Sequence, residues 1–137
     1  MRVLIIDGQG GGLGRQLVAA VKEYDQDIEV LAVGTNSTAA NAMLRAGADQ
    51  AATGENSAVV AARRADVIMG PVGIVIADAM LGEITPRMAA AVGQSSAKRI
   101  LIPVNLCDNI VVGVTDAPMG KNVQNAIEAL KKCLAQE

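Results

Sequence analysis

The stretch "RVLIIDGQGGGLGRQL", residues 2–17, constrains this chain more than any other. An unbroken apolar run is the mark of a strand buried on both faces of a parallel sheet. Five glycines then fill five of seven positions: Gly8, Gly10, Gly11, Gly12 and Gly14. Leu13, Leu17, Val21 and Tyr24 recur at helical spacing, so a helix follows at once. A tight strand-to-helix turn needs one or two glycines, and each further one costs roughly 0.5–1 kcal/mol of conformational entropy. In this context the excess has a reason. Main-chain N–H groups and the positive end of the helix dipole face a bound phosphate, and glycine lets the backbone approach it.

The rest of the chain alternates strand and helix. "IEVLAV" reads as a second strand and "STAANAMLRAG" as a helix, with Ser37 as N-cap and Gly47 ending it. "DQAAT" is a short third strand, "NSAVVAARRA" a helix and "DVIMG" a fourth strand. Residues 74–84 are open between helix and loop. "TPRMAAAVG" carries Thr85 as N-cap and Pro86 at the first helical position. "KRILIPV" is a fifth strand and "NIVVGV" a sixth; Val123, Ile127, Leu130 and Leu134 mark a last helix. The fold class this predicts is α/β, a three-layer Rossmann-like sandwich with a mostly parallel sheet, in one nucleotide-binding domain over residues 1–137.

Composition narrows the function. Hydrophobic residues make up 51% of the 137, yet Phe and Trp are absent and Tyr24 is the one aromatic residue. A net charge of −2, with no basic stripe and no stacking aromatics, argues against nucleic acid as a partner. The uncharged apolar run Val67 to Ala77 is broken by Gly70, Pro71 and Gly73 and is too short to span a bilayer. The N-terminal apolar stretch ends in Asp7 and is no signal peptide, so a cytoplasmic protein is expected, with Cys107 and Cys133 as incidental thiols. No histidine is present, which removes the commonest general base and metal ligand; no metal site is expected.

Each expected strand ends in a polar or glycine cluster, and in an open parallel sheet those carboxyl ends form the ligand crevice. The spacing Gly8-x-x-x-Gly12-x-Gly14 is not the common G-x-G-x-x-G, and Arg15 in place of Lys excludes a P-loop. It resembles the short-chain dehydrogenase/reductase family, whose first turn reads T-G-x-x-x-G-(I/L)-G. That resemblance implies that Gly8, Gly12 and Gly14 line the pyrophosphate of NAD(P), with Leu13 packing beneath. It stops after the second strand. The family's Tyr-x-x-x-Lys pair is missing, since Tyr24 is followed four positions on by Ile28 and faces inward by its spacing.

The second strand ends in Gly34-Thr35-Asn36-Ser37, with no acid to accept from a ribose hydroxyl. Hydroxyl and amide donors there, with Arg15 nearby, favour NADP over NAD, and leave an adenine nucleotide open. The expected cradle is therefore Asp7, Gly8, Gly10, Gly11, Gly12, Leu13, Gly14 and Arg15, with Thr35 and Asn36 at the ribose end and Gly70, Gly73 and Asn105 on the far rim. Asp7, Glu55, Asp78 and Glu83 are the acids nearest the crevice, with helix capping and loop hydrogen bonding as their ordinary role. The apolar, glycine-punctuated "GPVGIVIADAMLGEIT" is expected to be a lid or, preferably, a face buried against a second subunit, making the protein a homo-oligomer.

The whole chain also resembles an uncharacterised family of short bacterial proteins, catalogued as a domain of unknown function. The motifs that carry this are "IDGQGGGLG", "GTN", "ATGEN", "GPVGI" and "GEITP…ILIPVN". They imply a bacterial source and transfer no activity. The function expected from the residues is an NADP(H)-binding sensor or accessory subunit. The alternatives are a small nucleotide-using enzyme with Glu55 or Asp78 as acid/base, and a structural subunit with a vestigial pocket.

Overall fold

The computed structural model describes residues 1–104 and 108–136. In chain order the elements are β1 (Arg2–Asp7), α1 (Gly12–Tyr24), β2 (Glu29–Gly34), α2 (Ser37–Arg45), β3 (Gln50–Thr53), α3 (Glu55–Arg64), β4 (Val67–Pro71), a single 3-10 turn (Val72–Val75), α4 (Pro86–Gln94), β5 (Lys98–Ile102) and α5 (Met119–Ala135). All the strands pair in parallel, in the order β3-β2-β1-β4-β5. This is the α/β sandwich that the alternating pattern predicts.

Strand alternation divides the core into two layers. Val3 and Ile5 of β1 point to one face, onto Leu13, Leu17 and Val18 of α1, Met43 of α2 and Leu130 of α5. Leu4 and Ile6 point to the other, onto Ala58 and Ala62 of α3 and Met88 and Val92 of α4. With side chains buried on both faces, a strand reads as a continuous apolar run, which is why "VLII" is legible. The alanines of α3 carry little bulk, so that helix sits close to the sheet.

Some expectations change. "NIVVGV" forms no strand; residues 109–114 lie outside every element. β-propensity measures fit to a pleated neighbour, and among the described residues no strand of the sheet pairs with this segment. The Val67–Ala77 run is not a subunit face. β4 is buried throughout, and Ile74, Ala79, Met80 and Ile84 belong to the core layer beneath α3 and α4. The case for an interface at that run therefore fails. Residues 76–84 are loop. Asn36, not Ser37, caps α2: its side-chain oxygen accepts from the Ala39 N–H at 2.8 Å. Tyr24 is turned outward beneath the Lys131 ammonium, 5.3 Å from its ring centre. Cys133 is a half-buried free thiol, while Cys107 and Asn105 fall outside the described residues. No helix among the described residues is long and apolar enough to cross a membrane.

Candidate functional site

β1 sits at the centre of the sheet, and its carboxyl end opens into the glycine turn. Gly11 takes the left-handed conformation at φ 73° and starts α1 with no side-chain cap of its own. The cap comes instead from the strand. Asp7 is buried, and its two carboxylate oxygens accept from the Gly8 N–H at 2.8 Å and the Gly14 N–H at 2.7 Å. Burial pushes the Asp7 carboxyl above its ordinary range, opposed by those two N–H groups, and the negative charge of Glu83 adds to the rise. Asp7 is thus a brace beneath the turn and offers a ligand no free oxygen.

The glycines divide by what a side chain would meet. A Cβ on Gly14 would lie 2.6 Å from the Met43 sulfur and 2.8 Å from the Asp7 Cβ. On Gly11 it would meet the Ala39 backbone at 2.9 Å. On Gly8 it would strike Thr35 Oγ1 at 2.6 Å and the Met80 sulfur at 2.9 Å. Those three are glycine because protein packs against them. Gly10 and Gly12 are different: no protein atom outside the turn lies within 4 Å of either added Cβ. Gly12 and Leu13 open the helix, where N–H groups have no intrahelical acceptor.

The second arm of the site comes from beyond β4. After the 3-10 turn the chain crosses the carboxyl edge as a strap, with Asp78, Met80 and Leu81 in the left-handed region at φ 67°, 57° and 57°. The Asp78 N–H donates to Ile84 O at 2.7 Å and the Ile84 N–H to Ala79 O at 3.1 Å, which closes the strap on itself. Left-handed backbone at non-glycine residues costs energy and persists where its surroundings enforce it, often at functional loops. The strap lays Met80 over Gly8 and delivers Glu83 to the turn. Glu83 Oε1 accepts from the Gln9 N–H at 2.8 Å, Thr35 Oγ1 at 2.5 Å and Asn36 Nδ2 at 2.8 Å. The Thr35 hydroxyl is the main reason that its carboxyl lies below the ordinary range. Asn36 Nδ2 also donates to Gln9 O at 2.9 Å, tying the loops after β1 and β2 together.

Thr35 and Asn36 do meet the glycine turn, as the strand ends predict, but their donors converge on the chain's own carboxylate. Gly70 is glycine because a Cβ there would strike the Ile6 carbonyl, and Gly73 is buried in the 3-10 turn. Arg15 is exposed on the outer side of α1, facing a cavity shared with Arg45 of α2. Glu55 accepts from the Thr85 hydroxyl at 2.7 Å and lies 3.6 Å from Arg87, joining the starts of α3 and α4. Asp78 is exposed on the strap. Sequence reading placed Glu83 near the crevice with loop hydrogen bonding as its ordinary role, which the structure bears out, but could not name its partners. The signal was an acid next to Gly82 in a largely apolar segment whose other acid is Asp78. Among the described residues no cluster of His, Cys, Asp and Glu could hold a metal ion.

Among curated proteins none matches this chain. A solved structure does: that of a dodecameric FMN-dependent UbiX-like decarboxylase from Escherichia coli O157:H7, with 18% identity and a TM-score of 0.50 over 97% of this chain and 76% of that one. At that identity the likeness shows the fold. It also corrects the expectation of an NADP-binding protein, because the neighbour is named for a flavin. The geometry here agrees with the correction: the donors meant for a 2′-phosphate are held by the Glu83 carboxylate, which would repel one. The sequence itself, from residue 2 to residue 135, matches the model of one family, and the chain belongs to it: the domain-of-unknown-function family DUF3842.

Proposed function

We infer that this chain binds a phosphomonoester at the outer face of the glycine turn, and that the ligand is a flavin mononucleotide. The observation that carries this is the open space at Gly10 and Gly12, beside the unpaired first N–H groups of α1. The glycine spacing that resembles the dehydrogenases and the flavin-dependent neighbour of the same fold support it. One terminal phosphate suits the turn better than a bridging pyrophosphate, since the adjoining Thr35–Asn36 end is occupied by Glu83. The residues that would hold the phosphate are Gly10, Gly12 and Leu13. A flavin, when bound, supplies one- and two-electron redox chemistry.

A second reading is favoured by Asp7 and Glu83, which already answer five donors from within, three N–H groups of the turn and the side chains of Thr35 and Asn36: the turn is then a lock that joins three loops. The two readings part in a titration with FMN, followed by flavin fluorescence and by thermal melting. The flavin reading expects saturable quenching, a raised melting temperature, and loss of both in Gly12→Val with the fold intact. No change up to millimolar FMN overturns it and leaves the lock. We infer further that the chain self-associates, as its dodecameric neighbour does, through a surface other than the Val67–Ala77 run.

A further inference from the structure

One anion already sits among converging donors in this molecule, and it belongs to the chain. Glu83 Oε1 accepts from the Gln9 N–H at 2.8 Å, the Thr35 hydroxyl at 2.5 Å and the Asn36 amide at 2.8 Å. The other carboxylate oxygen accepts none of these bonds. A carboxylate has lone pairs on both oxygens and takes up to about four hydrogen bonds. Donors that served to hold a carboxylate in place would divide between the two. Here three meet at a point. Gly8 leaves the room for it, since a Cβ there would lie 3.1 Å from the same oxygen.

Each donor is also fixed without help from Glu83. The Thr35 N–H donates to Asp7 O at 3.0 Å. Asn36 Oδ1 accepts from the Ala39 N–H at 2.8 Å, which turns the amide nitrogen toward the glycine turn, where it also donates to Gln9 O at 2.9 Å. The Gly11 N–H donates to Gly8 O at 2.9 Å and closes the turn that carries Gln9. Donors held in place before their acceptor arrives are what a binding site needs, because ordering them afterwards would cost affinity. Glu83 is different. It is half-exposed and follows Gly82, so rotation of its own side chain is enough to carry the carboxylate into solvent.

We propose that Gln9, Thr35 and Asn36 form a binding seat for the carboxylate of a small organic acid, and that Glu83 is an internal stand-in which this ligand displaces. Charge favours an exchange of like for like. Among the described residues no cation pairs with Glu83, and the buried Asp7 carboxyl lies close enough to feel its charge. One carboxylate replacing another leaves that balance unchanged. The seat goes beyond the flavin reading and does not depend on it, since the flavin phosphate is assigned to Gly10, Gly12 and Leu13.

The test is chemical rescue in Glu83→Ala. Acetate is added to the isotope-labelled variant and to wild type, with chloride at equal ionic strength as the control. The Gln9 backbone amide and the Asn36 side-chain amide are followed by NMR. In the variant both should shift saturably with acetate and not with chloride, and the melting temperature should rise. Wild type should need at least about tenfold more acetate, because a tethered group competes at an effective concentration of about millimolar or higher. Its Glu83 side-chain resonances should move together with the two amides. No saturable shift in the variant, or one that spares Gln9 and Asn36, overturns the seat. Equal acetate dependence in variant and wild type, or a wild type whose Glu83 never moves, overturns the displacement and the proposal with it. Should Glu83→Ala fail to fold, Glu83→Gln is read in its place. Its neutral oxygen is the weaker acceptor and should yield to less acetate than wild type needs; a response equal to wild type, or none, overturns the proposal. Every one of these outcomes leaves the FMN titration to stand or fall by itself.

Discussion

The carboxyl end of β1 and the outer edge of β5 are opposites. At the first, a turn rich in glycine, which invites a ligand by its sequence, is braced from inside by Asp7 and Glu83. At the second, residues that should make a strand by their sequence are left bare. The difference teaches what local sequence encodes. A glycine run says that the backbone is approached closely, and leaves open whether by ligand or by protein. A β-branched run says that the segment suits a pleated neighbour, and leaves open whether its own chain supplies one.

The largest effect expected from breaking the brace is that of Asp7→Ala. It removes the acceptor of two N–H groups at the base of the turn, each costing about 1–3 kcal/mol when left buried and unpaired. Relief of the buried carboxyl's own desolvation offsets part of this. A net loss of about 3 kcal/mol in urea unfolding is the expected outcome. A loss under about 1 kcal/mol would mean that the turn does not depend on Asp7.

Next come the glycines, which separate protein contact from open space. Gly14→Val forces a side chain against Met43 and Asp7, and overpacking of that kind costs about 1–3 kcal/mol. The Met43 end can turn aside; the Asp7 Cβ cannot. Gly12→Val meets no protein atom and should stay within about 0.5 kcal/mol of wild type. Equal melting curves for the two would contradict the division of the turn into packed and open glycines.

How much was legible follows the same line. The order of elements, the third strand and the Thr85–Pro86 helix start could be read, because buried runs, helical spacing and caps are local signals. The roles of Gly8, Gly11 and Gly70 as close contacts could not, since the atoms they avoid come from Thr35, Ala39 and Ile6, far along the chain. Glu83 was hidden for that reason too: it meets Gln9 across a separation of 74 residues. The sixth strand was misread because its β-branched residues fit a strand locally, while the chain turns at residues 112–113 instead of pairing.

The strap gives a smaller, pH-dependent effect. The Glu83 carboxyl is held below its ordinary range, so the stability it contributes is complete above that range and is lost as pH falls through the folded-state value. Asp7 has the opposite sign: its raised carboxyl takes up a proton earlier when folded, so its contribution declines as pH rises through the raised value. Glu83→Gln keeps an oxygen for Thr35, Asn36 and Gln9 but removes the charge. The acid limb of its stability profile should be shallower than that of wild type, by under about 1 kcal/mol because the group is partly solvated. An unchanged acid limb would mean that Glu83 does not carry the charge at the turn.

The smallest effect is expected at the bare edge, and its smallness is the point. Val112 is 93% exposed in the isolated chain, so Val112→Ser removes a side chain that touches almost nothing. Surface changes of that kind stay within about 0.5 kcal/mol. Unfolding at low micromolar concentration, where weak contacts between copies dissociate, should therefore match wild type. The match should hold at high concentration as well, since a contact between copies at Val112 would add stability to the wild type alone by mass action. A loss of stability at low concentration would place Val112 against its own chain. The contrast between a turn satisfied from within and an apolar segment left bare would then be gone.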